Sequence, residues 1–149
     1  MEGKIMRIFI TSIVLLAALA TSALAQDHVA TMKDVAGDVD VERKGTTFVP
    51  VVGDKLQKGD IIRTKSDGSV GFTFIDGTRI GMGESSEMTV AQYTFNPLEK
   101  QYAFDVFLKK GSAVYSSGKL GKLDPKSVSF RTPKATVGVR GTKFVVKVQ

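Results

Sequence analysis

The chain has 149 residues, a formal net charge of +6, no Cys and no Trp. That length suits one modest domain, and 24 % charged against 42 % hydrophobic residues is an ordinary globular balance. The absence of Cys excludes a disulfide framework, a thiolate metal site and a Cys nucleophile.

Residues 1–25 read as a cleaved signal peptide. Lys4 and Arg7 make a basic start, Ile8 to Ala20 is an apolar core broken only by Thr11 and Ser12, and Ala23-Leu24-Ala25 fits a small-x-small cleavage site. The apolar run is shorter than the roughly 20 residues of a membrane span. The sequence thus predicts an exported protein, periplasmic or secreted, that does not span the membrane once cut. The mild basic excess left after cleavage suits acidic surfaces or anionic glycans, but the charges are mixed in sign along the chain, which favours a plain solvated surface. Nucleic acid is the wrong partner for that compartment.

Residues 26–33 read as a polar lead-in and 34–149 as one β domain. Asp38 to Glu42 alternates polar and apolar residues, and Thr46 to Val52 carries Pro50, which confines it to an edge or bulge. Gly53-Asp54 and Gly59-Asp60 are turn dipeptides around a stretch too short for a helix, and Asp60 to Thr64 is a short strand. In Ser69 to Met82 the residues Val70, Phe72 and Phe74 alternate with Ser69, Gly71 and Thr73. Asp76-Gly77 predicts a two-residue hairpin turn with positive φ at both positions, and Thr78, Ile80 and Met82 continue on the return strand. Another strand covers Glu87 to Tyr93, and Asn96-Pro97 breaks the chain. Tyr102 to Leu108 is a strand, Lys110-Gly111 a turn, and Ser112 to Tyr115 a further strand. Ser116 to Lys126 reads as a mobile Ser/Gly/Lys-rich loop. Val128 to Phe130 and Thr136 to Val148 complete the chain. The result is an all-β domain of short strands, arranged as a roll, a sandwich or a β-helix-like stack.

The sequence also echoes itself. Ile62-Arg63-Thr64 matches Phe130-Arg131-Thr132, Ser69 to Phe72 matches Thr136 to Val139, and Gly77 to Ile80 matches Gly141 to Phe144. Gly37 and Gly111 open the two candidate copies. Two similar β-units closing on one core is one reading; chance similarity of β-rich strings is the other.

Residues for chemistry are scarce. His28 is the only His and lies in the lead-in. Asp54, Asp60, Asp67 and Asp76 occupy turn strings, where Asp bonds nearby backbone. No D-x-D-x-D-G loop joins Asp54 and Asp60 into a calcium site, and Gly81-Met82-Gly83 lacks the Lys-Ser/Thr of a phosphate loop. The reading is a non-enzyme with no catalytic residue, metal or cofactor.

Three signatures carry a family resemblance: G-D-x-I-x-T at Gly59 to Thr64, an apolar strand running into Asp76-Gly77-Thr78, and T-P-K-A-T-V-G-V-R-G-T-K-F at Thr132 to Phe144. The sequence resembles the FecR-domain family over about residues 34–148. In the regulators that give the family its name, the domain is periplasmic, tethered by one membrane helix to a cytoplasmic anti-sigma segment, and takes a signal from an outer-membrane receptor. Here the apolar stretch reads as cleavable, so what carries over is an interaction or sensing module. The resemblance assigns the family motif to Thr132, Pro133, Ala135, Val137, Val139, Arg140, Gly141, Thr142 and Phe144. That motif is either folding information or a grip on an acidic partner through Lys134 and Arg140. The function expected is a non-enzymatic envelope module that binds a protein and relays or scaffolds a signal, with a glycan- or envelope-binding module as the alternative.

Overall fold

A computed structural model describes residues 28–139 and 143–149. The signal-peptide reading of residues 1–25 and the motif residues Arg140, Gly141 and Thr142 lie outside the described residues. No helix among the described residues is long and apolar enough to cross a membrane.

The strands are β1 (His28–Ala36), β2 (Val39–Arg43), β3 (Thr46–Phe48), β4 (Lys55–Gln57), β5 (Ile61–Thr64), β6 (Ser69–Phe74), β7 (Arg79–Met82), β8 (Glu87–Asn96), β9 (Gln101–Ser116), β10 (Val128–Arg131), β11 (Thr136–Gly138) and β12 (Lys143–Val148). One short helix, α1 (Lys119–Leu123), and a single 3-10 turn at Pro125–Ser127 lie between β9 and β10. The all-β expectation holds.

The registers show four long antiparallel strands behind most of these labels. β1 and β2 run on as one strand against β6 and β5. β5 and β6 run against β8 and β7, and β7 and β8 run against β9. This is an up-and-down meander in which every strand bends near its middle. The bend folds the sheet over into two layers. One layer is ordered β4-β1-β6-β7-β9-β12 and the other β3-β2-β5-β8-β9-β10-β11, with β9 shared through its two halves.

The crease follows a row of glycines. Gly37 and Gly111 have φ of 65° and 88°, the left-handed region that glycine enters without strain. A β-carbon on Gly37 would stand 2.1 Å from the carbonyl oxygen of Asp67, and one on Gly111 2.5 Å from the Cα of Ser86. Hydroxyls replace the ladder bonds lost at the bend. Thr64 Oγ1 donates to the Gly83 carbonyl (2.6 Å) and accepts from the Ser86 amide (2.9 Å), while Ser86 Oγ accepts from the Ser112 amide (3.0 Å). Thr64 and Ser86 are both buried, and a buried backbone group needs such a partner.

Folding the meander over brings the apolar sides of both layers together. Val70, Phe72, Phe74, Ile80 and Met82 of one layer meet Ile62, Met88, Val90, Phe104 and Val106 of the other in a single core. Aromatic rings alternate between the layers: Phe74 lies 4.8 Å from Phe104, Phe104 5.8 Å from Tyr115, Tyr115 6.5 Å from Phe130, and Phe130 5.5 Å from Phe144. All four contacts are edge-on, the arrangement the ring quadrupole favours.

Several local expectations differ from the structure. Residues 28–33, expected as lead-in, belong to β1, and Val29, Ala30 and Met32 are buried there. Lys110-Gly111 does not reverse the chain, because the positive φ of Gly111 is used to bend β9. The stretch expected to be a mobile loop holds α1, anchored by fully buried Leu120. The Asp76 loop has three residues, Ile75 to Gly77. Phe74 N–H meets the Thr78 carbonyl, Gly77 N–H meets the Phe74 carbonyl, and only Gly77 has positive φ. The two-residue turn with two positive φ values occurs instead at Lys44-Gly45. The internal echo ends in different topologies. β6 continues in line from β5 across the crease, whereas a tight turn at Thr132 to Ala135 folds β11 back on β10. Gly37 and Gly111 nevertheless share one role as crease glycines.

Gly111→Ala is expected to destabilise the fold by ~3 kcal/mol or more, combining backbone strain with a clash against backbone. Gly45→Ala, also at positive φ but with open space around it, should cost only about 1 kcal/mol. Denaturant unfolding of both variants checks the difference; equal losses would remove the steric account of the crease.

Candidate functional site

Two buried carboxylates hold the two ends of the folded meander. The Gly59-Asp60 turn brings Asp60, fully buried, to the start of β5. Arg43, at the end of β2, grips it with both prongs of its guanidinium: Nε donates to Oδ1 (2.9 Å) and Nη2 to Oδ2 (2.7 Å). Arg43 Nη2 also donates to the Lys55 carbonyl (2.7 Å), and the Gln57 amide donates to Asp60 Oδ2 (2.8 Å). Because β2 and β4 lie in different layers, this cluster ties one layer to the other. The Asp60 hydrogen bond holds the Arg43 guanidinium proton more tightly than usual. A forked donor on a buried carboxylate is a task that suits Arg rather than Lys.

Among the described residues no cation pairs with Asp76. Its carboxylate accepts from the Tyr93 hydroxyl (3.0 Å), the Thr78 hydroxyl (2.6 Å), the Thr78 amide (3.3 Å) and the Leu120 amide (3.0 Å). Its carbonyl accepts from the Lys119 amide (2.8 Å). The loop is thereby fixed both to Tyr93 in the opposite layer and to α1. Gly118 packs so closely that a β-carbon would stand 2.2 Å from the Thr78 nitrogen. Burial, and secondarily the Asp76 charge, pushes the Tyr93 phenol above its ordinary pKa, so its proton stays on the bond to the carboxylate. Nearby, the Tyr115 hydroxyl is buried and makes no well-formed hydrogen bond among the described residues, and burial raises its pKa too.

The first two sequence signatures therefore describe structural fastenings. In G-D-x-I-x-T, Gly59 makes the turn (φ 91°), Asp60 ties the layers, Ile62 enters the core and Thr64 serves the crease. Asp54 repeats the Asp60 turn one step earlier, accepting from the Val51 amide at 2.9 Å. Asp67 accepts from the Asp38 amide (3.3 Å). His28 begins β1 opposite Gln57 and is half-buried. Arg43 and Tyr93 were not singled out from the sequence, since neither lies in a motif and their partners are 17 residues away.

The third signature forms the rim of the fold. Thr132 N–H donates to the Ala135 carbonyl (2.7 Å) and Thr132 Oγ1 accepts from the Ala135 amide (3.0 Å), closing a turn with Pro133 and Lys134 at its tip. Val137 is half-buried on β11, and Val139 is buried. Phe144 on β12 stacks on Tyr115 with centroids 4.8 Å apart. Arg140, Gly141 and Thr142 lie outside the described residues, so of the two candidate partner contacts the structure places only Lys134. Lys134 lines an open groove of about 370 Å³ between β11 and β12, together with Ala135, Val137, Val146, Lys147 and Val148. β12 pairs with β9 along one edge, and among the described residues no strand occupies its other edge.

Among the described residues no three His, Asp or Glu side chains gather where they could hold a metal ion. The chain matches the family model described as FecR protein over residues 60–149, more than half its length. The chain belongs to the FecR family. No curated protein and no solved structure matches it. The matched span begins at Asp60 itself and takes in both buried carboxylates and the groove, while Arg43, Lys55 and Gln57, the partners in the Asp60 cluster, lie before it in this FecR chain.

Arg43→Ala leaves the Asp60 carboxylate buried without its cation and is expected to cost about 3 kcal/mol, the low end for a broken buried pair because Arg43 is partly exposed. Tyr93→Phe removes one of four donors to Asp76 and should cost roughly 1–2 kcal/mol. Equilibrium unfolding measures both; an Arg43→Ala loss below that of Tyr93→Phe would contradict the ranking.

Proposed function

We propose that this chain is a non-enzymatic, exported module that binds a protein partner in the cell envelope and relays or scaffolds a signal. Family membership over residues 60–149 carries the reading, since the FecR family is regulatory and non-enzymatic. The chemistry of the motif residues supports it. Asp60 and Asp76 are engaged by Arg43 and by Tyr93, Thr78 and Leu120, so their charge is spent on holding shape. What the fold offers outward is a strand edge and a groove. Backbone bonds along such an edge give affinity without catalytic groups.

The test is photo-crosslinking in intact cells, with a benzophenone side chain placed in turn at the exposed positions Val51, Leu98, Leu123 and Val145. A discrete protein adduct from at least one position, recovered with the envelope fraction, is the expected result. Recovery of glycan alone would replace this reading with the glycan-binding one. Absence of any adduct at all four positions would overturn it.

A further inference from the structure

The strands that end the two layers are not alike. β3, β4 and β11 have three residues each, while β12 has six. A long unpaired edge invites another strand, and proteins commonly guard such edges with lysine. β12 carries two lysines in a defined pattern. Lys143, Val145 and Lys147 point outward and are exposed; Phe144, Val146 and Val148 point inward and are only half-buried. Val146 and Val148 line the groove beside β12, which leaves their flanks uncovered. Val137 faces the same groove from β11, and Lys134 stands at its mouth. On the outer face, exposed Val145 pairs with Val114, itself 37 % exposed. Among the described residues, none of Lys134, Lys143 and Lys147 has a carboxylate within ion-pair distance, as is true of most lysines in the chain; what distinguishes these three is their place around the groove and the β12 edge. Three unpaired cations around an apolar groove and a free strand edge are complementary to one kind of occupant.

We propose that β12 receives an extended strand from a partner protein, with apolar side chains on the inward positions and carboxylates opposite Lys143 and Lys147. The added strand pairs with the free backbone of β12 and lays its apolar residues against Val137, Val146 and Val148. A second copy of this chain fits poorly. Antiparallel self-pairing centred on Val145 would set Lys143 opposite Lys147 at both ends, and like charges directly opposite destabilise a sheet. This inference rests on the partner-binding reading and adds which edge is used and what chemistry it selects.

The experiment uses the soluble chain and two capped peptides, Glu-Val-Thr-Val-Glu and Lys-Val-Thr-Val-Lys. The acidic peptide should slow amide exchange along Lys143–Val148 and bind roughly tenfold more tightly than the basic one, with the difference shrinking as salt is added. The double variant Lys143→Glu/Lys147→Glu alters only exposed side chains and should invert the preference while unfolding at the wild-type midpoint. Equal binding of both peptides, protection away from β12, or an unchanged preference in the double variant would overturn the proposal. So would concentration-dependent protection of β12 without peptide, which would identify a second copy as the occupant. Repeating the cellular crosslinking with the double variant separates the two readings. A protein adduct that survives charge reversal leaves the envelope role standing and removes β12 from it; absence of an adduct in the wild type removes the role itself.

Discussion

At Gly111 the backbone of β9 passes so close to Ser86 that a β-carbon would stand 2.5 Å from the Ser86 Cα. That approach is the constraint on which the other contacts depend. Four long strands can form a flat meander with any residues of suitable alternation, but a flat meander has two wet faces and no core. Bending all four at one level brings the inner face against itself, and only then do Phe74, Phe104, Tyr115 and Phe130 meet. The bend requires left-handed backbone at Gly37 and Gly111, close passage at Gly68 and Gly83, and hydroxyls at Thr64 and Ser86 to serve the amides and carbonyls that lose their ladder partners.

A creased sheet can spring open at the ends away from the crease, and the two carboxylates act there. They do so by different chemistry. Asp60 sits where the surface is close enough for Arg43 to remain partly exposed, so a bidentate ion pair forms without burying both charges fully. Asp76 lies beside Tyr93 and α1, and among the described residues its charge is spread over two hydroxyls and two amides. Burying an ion is unfavourable unless it is paired or hydrogen-bonded; Asp60 has a forked cation and one amide, and Asp76 has two hydroxyls and two amides. A short helix with one apolar anchor, Leu120, is held in place because its backbone amides complete the shell of Asp76.

How much of this was legible in the sequence follows from how local each feature is. The alternation of Val70, Phe72 and Phe74 is local, and all three are buried as expected. So are the turns at Gly53-Asp54 and Gly59-Asp60. Gly111 was misread because a glycine that bends a strand and one that reverses it carry the same positive φ; the register that distinguishes them belongs to β8 and β12. β1 is hidden in the sequence by its polar members, His28, Thr31 and Lys33, and by burial of the adjacent Val29 and Ala30, where an irregularity in the pairing with β4 breaks the alternation. The Asp76-Gly77 dipeptide predicts a two-residue turn with positive φ at both positions, but the loop has three residues and only Gly77 has positive φ. Its three-residue form makes sense only beside Tyr93 and Leu120, 17 and 44 residues away. The C-terminal motif was recognised as a family mark, yet its turn, its ring contact and its rim position come from packing that no residue pattern states.

The crease also determines where this fold can meet another molecule. A sheet folded across its strands joins its two layers along the crease but leaves the outermost strands of each layer unpaired. On one side the chain crosses between the layers through residues 49–54, with buried Pro50, and the Arg43–Asp60 cluster closes what remains. On the other side, β11 and β12 belong to different layers and flank a groove that neither covers. The described parts of the family motif, the Thr132 turn, Val137, Val139 and Phe144, lie on this second side. Val139 enters the core, and among the described residues Lys134 and Lys143 have no carboxylate within ion-pair distance. The pleat assigns alternate residues of β12 to opposite faces: Phe144 holds the strand against Tyr115, while Lys143, Val145 and Lys147 stay exposed.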